Sequence, residues 1–141
     1  MSILTPSIYD RLAGDGTLVA LISTYNGSPA VFTTDPAPGD AVLPYIVTAG
    51  EVAQSPFDTK TTRGRSLIRD VRCYAPANGS AVVVEAMVER VRFLLHRQPL
   101  TIAGFDWVIS DVGGPIVADE GAGGARVYGR IISLILKAQE D

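Results

Sequence analysis

One amphipathic helix restricts the fold of this chain more than any other feature. Between Ala81 and His96, apolar residues recur in steps of three and four, and polar residues recur in the same steps on the opposite side. A helix of this kind buries one stripe and keeps the other face in water, so we expect it to lie across a sheet. The apolar stripe comprises Val84, Met87, Val88, Val91, Leu94 and Leu95, and the polar face carries Glu85, Glu89, Arg92 and His96.

Most of the remaining chain has the patterns of β-strands. Strands are predicted at residues 43–51, 66–74, 105–112 and 126–137, with shorter ones at 31–34 and 100–103. Thr5-Pro6 predicts the start of an N-terminal helix, and a second short helix follows Gly14-Asp15-Gly16. We therefore predict an α+β fold, an antiparallel sheet of about four to five strands with the long helix and a short N-terminal helical pair packed on it.

A polar loop runs directly into one of these strands. We predict a single domain over residues 1–141, with an extended polar loop at 52–65. The strand that follows alternates, so that Leu67, Val71 and Cys73 share a predicted core face with Arg69. Three interpretations of the charges stay open: a solvated loop and edge strand, a contact with an acidic protein partner, or a contact with a phosphate backbone. The cations concerned are Lys60, Arg63, Arg65, Arg69 and Arg72.

The composition narrows the class of protein. Hydrophobic residues make up 47% of the chain, which is enough for a core, and the net charge of −3 argues against a dedicated nucleic-acid binder. The first residues lack the pattern of a signal peptide, and no apolar run approaches the roughly 20 residues that cross a bilayer. We therefore expect a soluble protein that makes no membrane contact.

The chain offers little for catalysis or metal binding. His96 is its one histidine and is expected at the solvated end of the helix, and the one cysteine, Cys73, is expected to be a buried small hydrophobe. The glycine-rich run at 121–124 lies between two predicted strands, which favours a hairpin turn over a phosphate loop. The adjacent carboxylates Asp119 and Glu120 have no further ligands at a suitable spacing. The sequence therefore predicts no catalytic residue, no cofactor and no metal.

Residues 25–44 are not predicted to form a long helix or strand. Asn26-Gly27 is a turn signal, and prolines at 29, 36, 38 and 44 interrupt regular structure. We interpret this segment as an ordered surface excursion that carries one edge strand.

Four segments taken together resemble a known family. They resemble segments of the tail-completion or tail-terminator proteins of long-tailed bacteriophages and of gene-transfer-agent particles. The four segments are LPYIVTAGE, PFDTKTTRGRS, CYAPANG after an alternating strand, and LLHRQPLTIAG at the helix exit. The resemblance covers roughly residues 8–137. It implies a non-enzymatic virion protein that forms a ring, commonly a hexamer, on the tail end nearest the head. Such a ring stops polymerisation of the tail tube.

The resemblance also implies partners and contact residues. The partners would be further copies of the chain, the tail tube protein and the head-side connector or neck protein, with DNA only as cargo passing through the lumen. The protein would be found in the host cytoplasm during assembly. The polar loop would contact a ring neighbour or the tube end, and the apolar end of the last strand would supply a second interface patch. The loop residues are Phe57, Asp58, Thr59, Lys60, Thr61, Arg63 and Arg65, and the patch residues are Ile132, Leu134 and Leu136.

Three other functions compete with this interpretation. A neck or head–tail connector protein shares the size and the ring. A small oligomeric enzyme with a site between subunits would need its titratable groups from the Lys60–Arg72 cluster together with Asp58 and Asp70. A nucleic-acid-binding module would show a steep dependence of affinity on salt.

Overall fold

The computed structural model of this protein describes residues 3–34, 37–77, 79–117, 120–122 and 125–140. The helices are α1 (Thr5–Ala13), α2 (Gly16–Val19) and α3 (Val82–Leu95). The strands are β1 (Thr24–Tyr25), β2 (Ser28–Pro29), β3 (Val31–Phe32), β4 (Tyr45–Val47), β5 (Glu51–Pro56), β6 (Gly64–Pro76), β7 (Phe105–Val117), β8 (Glu120–Ala122) and β9 (Ala125–Glu140). In this part of the chain, β1 and β2 form a small hairpin, and seven strands form one sheet in the order β3-β4-β6-β9-β7, with β5 also paired to β6 and β8 to β9.

Strands β6 and β9 form the centre of the sheet, and α3 packs across one face of it. The two strands are antiparallel, from Gly64 opposite Gln139 to Pro76 opposite Val127. Because side chains alternate along a strand, each strand sends every second residue towards the helix. The apolar stripe predicted for the helix and the core face predicted for β6 are both confirmed. The buried residues are Leu67, Val71 and Cys73 of β6, Ile132, Leu134 and Leu136 of β9, and Val84, Met87, Val88, Val91, Leu94 and Leu95 of α3.

The predicted fold class is wrong. Strands dominate the described residues, and the sheet is mixed because β3 runs parallel to β4, with Val31 opposite Ile46. A parallel pair needs a crossover of about a dozen residues, which residues 33–44 provide. The sheet has more strands than the four to five predicted, since β5 forms inside the segment expected to be a loop. The structure has one main helix, α3, and the predicted N-terminal pair amounts to α1 and the four-residue α2. None of the helices in the described residues is long and apolar enough to cross a membrane.

The proline-rich excursion covers part of the sheet face opposite α3. Its residue Phe32 lies edge-on to Tyr25 and Tyr45, with ring centroids 5.4 and 5.6 Å away, and Tyr45 stands 5.6 Å from Tyr74 of β6. Aromatic pairs in such tilted arrangements attract beyond their burial of area. Phe32 and Tyr74 thus centre a second, smaller core that fixes the excursion to the sheet.

A buried arginine joins three parts of the fold. Arg69 of β6 is fully buried, and its Nε and Nη2 atoms donate to Oγ1 and to the carbonyl oxygen of Thr48, each at 2.7 Å. Its Nη1 donates to Oγ1 of Thr5 at 3.1 Å and lies 3.4 Å from Oε1 of Glu51. Burial lowers the pKa of Arg69, and the Glu51 carboxylate opposes that effect. Arg69 therefore fixes the start of α1 and the corner between β4 and β5 to the central strand.

We predict that Arg69→Met lowers the free energy of unfolding by roughly 3 kcal/mol, because the buried oxygens of Thr48 and the Glu51 carboxylate lose their partner. Urea denaturation of wild type and variant measures the difference. Arg69→Lys keeps the charge but not the planar set of donors, so we expect it to retain only part of the stability. A Met variant as stable as wild type would contradict this role for Arg69.

A second ion pair connects the short helix to the main one. Asp15 caps α2, since its Oδ2 accepts from the backbone N–H of Leu18 at 2.8 Å. The same carboxylate accepts from Nε and Nη2 of Arg90 on α3, at 2.8 and 2.7 Å. The hydrogen bond from Arg90 is the main cause that holds the pKa of Asp15 below its ordinary value of 3.8. The Gly14-Asp15-Gly16 sequence therefore both ends α1 and begins α2.

This pair should make stability depend on pH in acid. A lowered pKa in the folded state means that the Asp15 carboxylate stabilises the fold fully above pH 3.8, and that the stabilisation is lost as the pH falls through the folded-state pKa. We predict that Asp15→Asn, which can still cap α2, is less stable than wild type at pH 7 and equally stable in strong acid. Thermal unfolding followed across pH 2–7 tests this, and a difference that does not depend on pH would contradict it.

Candidate interaction surface

The loop between β5 and β6, residues 57–63, is held in shape by its own polar groups. We call it the hairpin loop. At the base of the loop, the Phe57 N–H donates to the carbonyl oxygen of Gly64 at 2.9 Å. Inside the loop, Thr59 and Thr62 exchange hydrogen bonds, with the Thr59 N–H donating to the Thr62 carbonyl oxygen at 2.9 Å and the Thr62 N–H to Oγ1 of Thr59 at 3.1 Å. Oδ1 of Asp58 accepts from the Gly64 N–H at 3.1 Å. The loop is therefore a defined turn.

The base of the hairpin loop is fixed to the ends of two other strands. The carbonyl oxygen of Arg63 accepts from the Glu140 N–H of β9 at 2.7 Å. The Lys137 ammonium lies 5.0 Å from the ring centre of Phe57, and the Arg65 guanidinium lies 5.0 Å from that of Phe105 on β7. Cations over aromatic faces at this distance attract the ring electrons. Phe57 and Arg65 are thus used in positioning the loop.

Two cations of the hairpin loop stay available. Lys60 and Arg63 are exposed, and neither side chain has a hydrogen bond or ion pair to any residue that the structure describes. Thr61, between them, is exposed as well. Of the seven residues predicted to touch a partner, these three present free side chains, whereas Asp58 and Thr59 are exposed but hydrogen-bonded to Gly64 and Thr62.

Gly64 makes the tight base of the loop possible. A Cβ atom at this position would lie 2.6 Å from the carbonyl oxygen of Phe57 and 2.7 Å from that of Ala138. Both atoms belong to the backbone, so neither can move aside as a side chain would. The glycine lets the hairpin loop close against β9.

The predicted second interface patch is not on the surface. Ile132, Leu134 and Leu136 are all fully buried beneath α3 in the single subunit, so a neighbouring subunit has no access to them. Their strand, β9, lies between β6 and β7, which gives it one face towards the helix and one face away from it. On the face away from the helix, Ile135 is 41% exposed. The end of β9 is apolar on both of its faces because β9 is a central strand of the sheet.

The cations that the sequence placed in one cluster do not lie together. Arg69 is in the core, whereas Lys60 and Arg63 are exposed on the hairpin loop. Asp70, on the sheet face opposite Arg69, accepts from Oγ of Ser133 at 3.2 Å. Asp58 lies beside Lys60 and Arg63 in the hairpin loop, but Asp70 and Arg69 lie elsewhere. The charged groups that the enzyme hypothesis required are therefore not brought into one site.

The histidine and the cysteine both have structural positions. Nδ1 of His96, just after α3, accepts from the backbone N–H of Val112 on β7 at 3.0 Å, and Oγ of Ser110 donates to the Leu95 carbonyl oxygen at 2.8 Å. The helix exit is thereby attached to β7. Burial raises the pKa of Cys73 to about 12, so its thiol is protonated at neutral pH.

The other groups considered for chemistry give no site in the described residues. Asp119 and residues 123–124 of the glycine-rich run lie outside them. Within them, no three His, Cys, Asp or Glu side chains come together as metal ligands. An open cleft of about 460 Å³ lies between α1 and residues 100–103. Two of its polar side chains serve the fold, since Nη1 of Arg11 donates to the Leu94 carbonyl oxygen at 3.4 Å and Oγ of Ser7 donates to that of Thr101.

We predict that Gly64→Ala disturbs the base of the hairpin loop and lowers the free energy of unfolding by about 1–3 kcal/mol, as overpacking against fixed atoms does. Amide hydrogen exchange should accelerate at Phe57 and Glu140, whose N–H groups close the base. Gly39→Ala is the matched control, because a Cβ there meets nothing within 4 Å. Equal effects of the two substitutions would contradict this account of Gly64.

Comparison with known proteins shows a likeness of fold. No family profile and no curated protein matches the sequence. Among solved structures, the chain is similar to one described as the virion of a native gene transfer agent (GTA) particle, with a TM-score of 0.73 and 20% sequence identity. The match covers 97% of this chain and 93% of that chain. At this identity the likeness establishes a shared fold, and the fold of this chain is therefore that of a protein found in a gene-transfer-agent virion.

Proposed function

We propose that this chain is a structural protein of a phage-type virion, which forms a ring on the end of the tail tube nearest the head. The ring stops polymerisation of the tube and helps to join the tail to the head-side connector. The observation that carries the proposal is the fold shared with a gene-transfer-agent virion protein over nearly the full length of both chains. The sequence resemblance to tail-terminator proteins supports the more specific role at the tube end.

The hairpin loop supports this role because it is built for contact. Its backbone is fixed by internal hydrogen bonds and by β9, while Lys60 and Arg63 keep their charges in solvent. A preformed loop loses little conformational entropy when a partner binds. In the proposed assembly these cations meet carboxylates of a ring neighbour or of the last tube ring. Such contacts weaken as salt rises, since exposed charges are screened within about 10 Å at 0.1 M ionic strength.

In this proposal the protein acts by occupying the end of the tail tube and has no catalytic role. Its partners are copies of itself in a ring, which we take to be a hexamer, the tail tube protein and the connector. DNA passes through the lumen during ejection. The net charge of −3 suits such a passage, because tight binding to phosphates requires many lysine and arginine contacts.

The proposal is tested with the purified protein and isolated tail tubes. Light scattering gives the mass of the oligomer, and negative-stain images show where it binds. We expect rings seated at one end of each tube. A protein that stays monomeric and ignores tubes under all salt conditions would overturn the proposal, and rings that bind connectors but never tubes would assign it to the neck instead.

We predict that Lys60→Glu combined with Arg63→Glu leaves the subunit folded, because both side chains are exposed and unpaired in the described residues. Like charges would then face the partner's carboxylates, so the variant should lose tube capping and give tails of uncontrolled length. The matched control is Lys60→Arg with Arg63→Lys, which keeps both charges at the same positions. Normal completion of tails by the charge-reversed variant would show that the loop makes no such contact.

A further inference from the structure

One stripe on the outer face of α3 is exposed, although the Arg90 guanidinium lies 4.6 Å from the ring centre of Phe93 there. Val82, Glu85, Glu89 and Phe93 follow each other in steps of three and four, so they share the side of the helix opposite its buried stripe. Val82 is 71% and Phe93 is 62% exposed. We call these four residues the α3 stripe. Val82 and Phe93 therefore give a partner apolar surface to bury at each end of the stripe.

The two carboxylates of the α3 stripe are available to a partner. Glu89 is exposed and has no hydrogen bond or ion pair to any described residue. The Glu85 side chain is 66% exposed, and its ion-pair partner in the described residues is distant, with Arg130 Nη2 at 3.9 Å. By contrast, Asp15 and Asp111 are each paired with an arginine at hydrogen-bond distance. The stripe thus joins apolar ends to an acidic centre.

The hairpin formed by β5, the hairpin loop and β6 presents the opposite combination. Its loop carries the free cations Lys60 and Arg63, and β5 exposes residues 52–56, with Val52 64% exposed. The loop lies at the end of the sheet, beside Glu140, whereas the α3 stripe lies on top of the helix layer. The two surfaces are therefore complementary in charge and face different directions.

We propose that the hairpin of one subunit docks on the α3 stripe of the next copy of the chain, with Lys60 and Arg63 paired to Glu85 and Glu89 and with Val52 against the exposed apolar side chains. This rests on the proposed ring and names the surface that receives the loop. A contact between two different patches is head-to-tail, and repeated with a suitable rotation it closes a ring.

Cysteine cross-linking tests the contact directly, because the native Cys73 is buried and unreactive. Arg63→Cys subunits are mixed with Glu89→Cys subunits in assembled rings and treated with a short thiol-specific cross-linker. We expect a covalent dimer from the mixture, and from the double variant a ladder of bands whose top equals the number of subunits in the ring. Asp10→Cys, at an exposed position on α1, replaces Glu89→Cys in the control. Dimers of equal yield with the control, or none with Glu89→Cys, would overturn the inference.

Charge exchange gives a second, independent readout. Glu85→Lys with Glu89→Lys should raise the apparent Kd of ring formation by about tenfold or more, and adding Lys60→Glu with Arg63→Glu in the same chain should restore it. Asp10→Lys should have no effect. If wild type forms rings and the α3 variant forms them equally well, this inference fails while the proposed function stands. If wild type forms neither rings nor tube caps, the proposed function itself fails.

Discussion

The buried guanidinium of Arg69 is the constraint on which the geometry of the interaction surface depends. A charge taken out of water is tolerated only where other groups satisfy it, and here Thr48, Thr5 and Glu51 do so from three different parts of the chain. The corner between β4 and β5 is fixed as a result. Since β5 starts from that corner and pairs with β6 next to Arg69, the direction in which the hairpin projects is set from inside the core.

Arginines and lysines of this chain serve two purposes according to how much water they keep. Arg69, Arg90 and Arg65 are each committed to an internal partner and hold elements together. Lys60 and Arg63 remain in solvent, where a single ion pair contributes about 0–1 kcal/mol. The separation makes mechanical sense for the proposed ring, because the subunit stays folded while its contacts with neighbours form and dissolve with salt.

The sequence predicted what periodicity controls and missed what long-range pairing controls. The buried stripes of α3 and β6 follow from spacing alone, so they were predicted correctly. Strand β5 was not, because Glu51–Pro56 is a polar edge strand that is stabilised by its neighbour β6. The parallel pairing of β3 with β4 depends on where residues 33–44 lead the chain. In the candidate site, Lys60 and Arg63 lie in an exposed loop as predicted, whereas Arg69 of the same predicted cluster is buried. The core position of Ile132, Leu134 and Leu136 depends on the neighbours that β9 has on both sides, which spacing alone does not predict.

Weak contacts suffice for the proposed ring because of its closure. Each subunit offers one hairpin and one α3 stripe. An open row of copies therefore leaves one hairpin unused at one end and one α3 stripe unused at the other. The subunit that closes the ring makes both contacts at once, and the second forms at the high effective concentration set by the first. A tube end that holds several subunits side by side raises that concentration further. Contacts too weak to hold two free subunits together therefore become sufficient where the tube stops growing, which is where the proposed function requires a ring.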